Sequence, residues 1–167
     1  MKQSLLMMLA VMFLAVQVRA QLADGTVLTD NITGTEIQTQ ETIDLFQILD
    51  SGQAVIVDAY ATWCGPCWNV HQNGLLKDMH DLYGPDGTDQ VRVIAVEVDP
   101  STPEADIYGG GSSVGDWSAG VDYIMMNDAA WGQYFEVAYY PSIFVVRPDR
   151  TVVHLYGDVL RQYIFDR

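Results

Sequence analysis

Ala54-Val55-Ile56-Val57-Asp58-Ala59-Tyr60-Ala61-Thr62-Trp63-Cys64-Gly65-Pro66-Cys67 is the stretch on which the reading of this chain turns. Its first eight residues form a nearly continuous apolar run, the pattern of a strand buried on both faces of a sheet. Two cysteines three apart follow at once, with Gly65 and Pro66 between them, where strand gives way to helix. The chain holds two cysteines in all, so no other thiol competes with this pair. A disulfide closing so short a loop removes little entropy from the unfolded chain, because that stabilisation grows with loop length. The pair therefore reads as a reversible redox device rather than a staple.

Upstream, residues 1–20 read as a secretory signal peptide. Lys2 supplies the positive start, Leu5 to Val16 are uninterruptedly apolar, and Val18-Arg19-Ala20 offers small residues at the −3 and −1 positions. The run is short for a membrane span, and no cysteine follows it to carry a lipid anchor. Residues 21–167 are then one domain, periplasmic or secreted, with no membrane insertion after cleavage. They carry six basic residues against 22 acidic ones, a net charge near −16, with Lys77 the single lysine. Such a surface repels nucleic acid and anionic membranes.

Downstream and upstream of the cysteines, strands alternate with helices. Residues 21–40 suggest a short hairpin or edge segment with a turn at Asn31-Ile32-Thr33-Gly34. Ile43, Leu45, Phe46, Ile48 and Leu49 have helical spacing, closed by Gly52. A helix is predicted from about Cys64 to Tyr83, a strand over 91–98, and an exposed, mobile, glycine-rich loop over 99–115. Trp117 suggests a short helix, 121–126 a strand, and Asp128 the cap of a helix carrying Trp131 and Phe135. Residues 142–147 and 151–156 are strands joined by the turn Arg147-Pro148-Asp149-Arg150, and a last helix starts at Gly157. The expected fold class is α/β, a mixed sheet with helices on both faces.

Val57 to Cys67 resembles the active-site segment of the thioredoxins, and Tyr139-Tyr140-Pro141-Ser142 resembles the segment that carries their cis-proline. The stretch from about 100 to 137 resembles the insertion of exported bacterial thioredoxins. Those include the thiol reductases of cytochrome c maturation and secreted thioredoxin-like proteins of the Bacteroidetes. The likeness covers about residues 26–160. It implies a thioredoxin-like fold, a central mixed sheet flanked by helices with an insertion before the cis-proline segment, and protein-disulfide reductase (thiol–disulfide oxidoreductase) activity.

Cys64 opens a helix, where unpaired backbone N–H groups and the macrodipole favour a thiolate, so it is the candidate attacking thiol. Cys67, one turn further in, suits the resolving thiol. Asp58 sits on an apolar strand, where desolvation raises a carboxyl pKa. The resemblance gives it the role of proton acceptor for Cys67, against the simpler reading of a solvated strand end. It also implies that Pro141 is cis and that the Tyr140 backbone pairs with an extended substrate, with Gly65 and Pro66 completing the contact surface; Trp63 either covers that surface or serves only in packing. His71 lies one helical turn beyond Cys67, but a zinc site would lack a fourth ligand; His71 reads as a partly exposed helix residue and His154 as an exposed strand residue. No metal and no cofactor are expected.

Two departures from the family pattern stand out. No basic residue follows Cys67, and Trp68-Asn69-Val70-His71-Gln72 lacks the helix-kinking proline, which implies a straighter helix and a different docking surface at Trp68. Gly65-Pro66 is the pair of reducing thioredoxins, whereas the strong oxidants carry a histidine there. The two extremes differ by about 150 mV, roughly 7 kcal/mol for two electrons. Export pulls the other way, because an exported reductant needs a membrane or exported electron donor. Reduction of disulfide-containing proteins is the leading reading. A disulfide oxidase or isomerase, and a non-enzymatic binding module including a metal carrier, remain alternatives.

Overall fold

The structure, a computed structural model, describes residues 21–155. The expected signal peptide and the helix expected from Gly157 lie outside the described residues. Elements run in the order β1 (Thr33–Thr35), β2 (Thr42–Asp44), α1 (Leu45–Asp50), β3 (Ala54–Tyr60), α2 (Gly65–Gln72), α3 (Leu75–Tyr83), β4 (Val91–Glu97), β5 (Ile124–Asn127), α4 (Ala129–Tyr134), β6 (Ser142–Val146) and β7 (Val152–Leu155).

β3 takes the centre of a five-stranded sheet of order β5-β4-β3-β6-β7. β4 is parallel to β3 and β5 to β4, while β6 pairs antiparallel with β3 and β7 antiparallel with β6. The β-branched run Val55-Ile56-Val57 suits a position buried on both faces. Val55, Val57 and Ala59 point to a core shared with Leu45 and Leu49 of α1 and Trp131 of α4. Ile56 and Tyr60 point to the opposite core, with Leu76 and Met79 of α3 and both cysteines. Strand period two thus sorts one apolar run into two layers, with the redox pair on one of them.

Several expectations are corrected. Thr33 and Gly34 lie in β1, not in a turn. The hairpin closes over 36–41, and residues 25–28 instead run along β7, with Gly25 donating to the Val152 carbonyl at 2.8 Å. Ile43 belongs to β2, and Asp44 caps α1 by accepting from Gln47 N–H. The single helix expected over 64–83 is two: α2 stops at Gln72, and Gly74 at φ +79° starts α3 in a left-handed conformation that favours glycine. No proline follows Cys67 in this stretch, yet the helix breaks rather than straightens.

The segment 99–115 is not a free loop. It carries a 3₁₀ turn over Glu104–Ile107 with Asp106 and Ile107 buried, and Tyr108 bridges Asp116. Trp117 is buried in a turn, not a helix, and β5 begins at Ile124, later than expected. His154 is buried rather than exposed, because the β6–β7 register sets it opposite Phe144, ring centroids 5.0 Å apart. Asp128 caps α4 as expected, accepting from Ala130 N–H at 2.9 Å.

Candidate functional site

β3 ends at Tyr60, and Ala61–Cys64 forms the turn into α2, closed by Cys64 N–H donating to the Ala61 carbonyl at 2.9 Å. Cys64 is the N-cap of α2, Gly65 its first residue, and Pro66 lies in its first turn, where a missing N–H loses no helical bond. Cys64 and Cys67 are joined as a disulfide, and Cys67 N–H donates to Cys64 Sγ at 3.2 Å. The sulfur of Cys64 thus sits among the unpaired N–H groups of a helix start, where a thiolate is stabilised. Cys67 is more enclosed, 1% exposed against 5% for Cys64. Gly65, Pro66 and Trp63 are open to solvent.

Asp58 lies on the same sheet face as Ile56, Tyr60 and the cysteines, fully buried, opposite Ala95 of β4. Its Oδ1 has no hydrogen-bond partner among the described residues, and burial pushes its carboxyl up to about 7. The Tyr60 hydroxyl beside it is also driven up, by burial first and then by the negative charges of Glu97 and Asp58. A carboxyl that titrates near neutrality can take up or release a proton at little cost.

Pro141 stands immediately before β6, and Ser142 pairs with Ala59, so the antiparallel register brings Pro141 to the end of β3 from which the cysteine turn departs. The Tyr140–Pro141 peptide is cis. Tyr140 packs edge-on against Trp63, ring centroids 5.9 Å apart, and the Trp63 indole donates to Asp99 Oδ2 at 2.8 Å. Cys64, Cys67, Asp58, Trp63, Gly65, Pro66, Tyr140 and Pro141 are thereby gathered at one end of the sheet.

His71 does not join them as a ligand. Its ring stacks on Trp68, lies 5.1 Å from Trp117, and its Nδ1 is 3.3 Å from the Tyr123 hydroxyl. Burial holds its pKa below the ordinary value. Among the described residues, no three His, Cys, Asp or Glu side chains are grouped to hold a metal ion.

Three residues at this site escaped the sequence reading as site residues. Glu97 is a fully buried carboxylate that accepts from Thr62 N–H, and Asp99 holds Trp63. Trp117 donates to the Thr62 carbonyl at 3.2 Å and stacks on Tyr60. The one available signal was an acid inside the apolar run 91–98; nothing in sequence ties Thr62 to Trp117.

The parallel β3–β4–β5 unit, the antiparallel β6–β7 pair and the cis-proline beside a disulfide at a helix start decide the architecture. The fold is thioredoxin-like. The family model described as thioredoxin matches residues 36–109, which include the cysteine motif and end before the cis-proline. The thioredoxin domain of a thiol-disulfide oxidoreductase from Bacteroides vulgatus superposes with a TM-score of 0.64 at 19% identity, over 87% of this chain and 97% of that one. A thiol:disulfide interchange protein from Bacteroides sp. gives 0.61 at 20% identity, covering 87% and 90%. A thioredoxin-like protein from Porphyromonas gingivalis gives 0.55 at 19%, covering 81% and 88%. At these identities the likeness is one of fold. No curated protein matches the sequence. The packed segment 99–123 closes over the cysteine turn, with Val114 N–H and the Trp117 indole both donating to the Thr62 carbonyl.

Proposed function

We propose that this chain is a thiol–disulfide oxidoreductase that reduces protein disulfides outside the cytoplasm. The observation that supports it most is the Cys64–Cys67 disulfide at the start of α2, on the sheet face that also carries the buried carboxyl of Asp58.

In the reduced protein the Cys64 thiolate attacks one sulfur of a client disulfide, forming a mixed disulfide and expelling the other client sulfur as a thiolate, which takes a proton from solvent. Asp58 accepts the Cys67 proton, and the Cys67 thiolate then attacks Cys64 Sγ. The Cys64–Cys67 bond forms, and the second client sulfur leaves as a thiolate and is protonated in turn. Two electrons have passed from enzyme dithiol to client disulfide. A protein dithiol, membrane-bound or exported, resets the pair by the same exchange. Trp63 and Tyr140 form the contact surface for an extended client segment, and the backbone beside Pro141 pairs with it. Gly65 and Pro66 leave the Cys64 thiolate without a histidine partner, which favours the reducing direction. Residues 1–20 support export, and no helix among the described residues is long and apolar enough to cross a membrane.

Insulin reduction with dithiothreitol tests the reading. The wild-type protein accelerates precipitation of the insulin B chain, and Cys64→Ser abolishes the acceleration. A wild-type protein no faster than dithiothreitol alone would remove the proposal and leave a binding module.

A further inference from the structure

Glu97 ends β4 and stands opposite Tyr60 in the parallel β3–β4 register, so its side chain shares the face that carries Tyr60, Asp58 and the redox pair. It is 0% exposed. A buried carboxylate is costly unless hydrogen-bonded, and both of its oxygens are used. Oε2 accepts from Thr62 N–H, and Oε1 accepts from Asp99 N–H at 2.8 Å.

Each of these bonds leads into the redox turn. Thr62 lies two residues before Cys64, and its carbonyl is held from the other side by Val114 N–H at 3.0 Å and Trp117 Nε1 at 3.2 Å. Asp99 in turn holds the indole of Trp63 at 2.8 Å. One carboxylate therefore fixes the turn directly, through Thr62, and indirectly, through Asp99 and Trp63. We propose that Glu97 is a positioning residue of the redox site, bracketing the Ala61–Cys64 turn against β4 so that Cys64 Sγ keeps its place at the start of α2. The proposal takes from the functional reading only that Cys64 is the attacking thiol.

Tyr60 of β3 stands opposite Glu97, with Asp58 two residues back on the same sheet face; Asp99 follows on its own strand end, and Tyr140 approaches from the segment before β6. None of them is a cation. Burial pushes the Glu97 carboxyl up to about 7, against the opposing pull of the Asp99 and Thr62 N–H groups. Protonation turns one oxygen into a hydroxyl that cannot serve a facing N–H as well as the carboxylate does, so the bracket loosens as pH falls through neutrality.

Glu97→Gln keeps the size but sets an NH2 against one of the two N–H donors. The readouts are the pH profile of Cys64 alkylation by iodoacetamide in the reduced protein, and insulin reduction. The bracket predicts a displaced alkylation profile and a loss in kcat/KM between about tenfold and 100-fold, the scale of a misplaced reacting group. In the wild-type protein, the backbone amide resonances of Thr62 and Asp99 should move together through one midpoint in a pH titration. An alkylation profile and rate within twofold of wild type, or amides that titrate separately or not at all, would overturn the bracket. Should Glu97→Gln fail to fold, the wild-type amide titration decides alone. Absence of insulin reduction by the wild-type protein counts against the proposed function instead, because the amide titration does not depend on it.

Discussion

Tyr60, the last residue of β3, stacks on Trp117 of the insertion with ring centroids 4.4 Å apart and planes 21° from parallel. Both rings are fully buried, so the insertion is part of the core beneath the cysteine turn. Trp117→Ala should destabilise the protein by about 3–5 kcal/mol, the range for truncating a buried aromatic. Trp117→Phe keeps a ring in the stack and loses the bond to the Thr62 carbonyl, which should cost about 1 kcal/mol. Urea unfolding followed by circular dichroism measures both, and equal losses would contradict this role for the insertion.

Asp58 should make stability fall as pH rises. Its folded pKa is raised from 3.8 to about 7 by burial, whereas the unfolded chain keeps the ordinary value. Between the two the folded form holds a proton that the unfolded form has released, so each step up in pH through that window favours unfolding. The full effect is up to about 4 kcal/mol, reached above pH 7. Asp58→Asn should therefore be more stable than wild type at pH 8 and nearly equal to it at pH 4. A difference that does not change with pH would contradict the buried, unpaired carboxyl.

The same substitution should slow client reduction. With no base for Cys67, kcat/KM should drop by up to about 10²-fold, the lower end of what a positioned general base contributes. The loss should be smallest at alkaline pH, where Cys67 ionises unaided. Insulin reduction between pH 6 and 9 checks this, and rates equal to wild type throughout would remove Asp58 from the mechanism.

Much of the architecture was legible because it rests on local signals. The apolar run of β3, the two cysteines and the Asp128 cap each announce themselves within a few residues. The break between α2 and α3 falls at the turn dipeptide Asn73-Gly74, a local signal that the expected helix over 64–83 did not take into account. The segment 99–115 reads as a loop from sequence because polar residues and Gly109-Gly110-Gly111 dominate its composition. What buries it is Ile107 and Trp117, two isolated apolar residues with no period. Glu97 and His154 are polar residues buried by strand register, which becomes visible only once β4 and β6 have partners.

Gly115 should resist any side chain. A Cβ there would lie 2.4 Å from Cζ2 of Trp68, a rigid ring already packed edge-on against Trp117 at 5.0 Å. Gly115→Ala should cost about 1–3 kcal/mol through overpacking and change tryptophan fluorescence. A neutral substitution in thermal unfolding would mean that the insertion does not seat against α2.

Client charge should matter. The chain carries 22 acidic residues against eight basic ones, and Lys77, Arg92 and Arg150 are each already paired with an aspartate. Asp99 stands beside Trp63 at the contact surface. Peptides sharing one disulfide but flanked by lysines should react faster than those flanked by glutamates, with the advantage shrinking as ionic strength rises toward 1 M. Equal rates at low salt would contradict electrostatic selection.

The reduction potential of the Cys64–Cys67 pair tests the central claim most directly. Equilibration against dithiothreitol or glutathione buffers, with free thiols counted after alkylation, gives the value. A reductase with Gly65-Pro66 between its cysteines should lie nearer to about −270 mV than to about −120 mV. A potential at the oxidising end would contradict the account and make the chain a donor of disulfides.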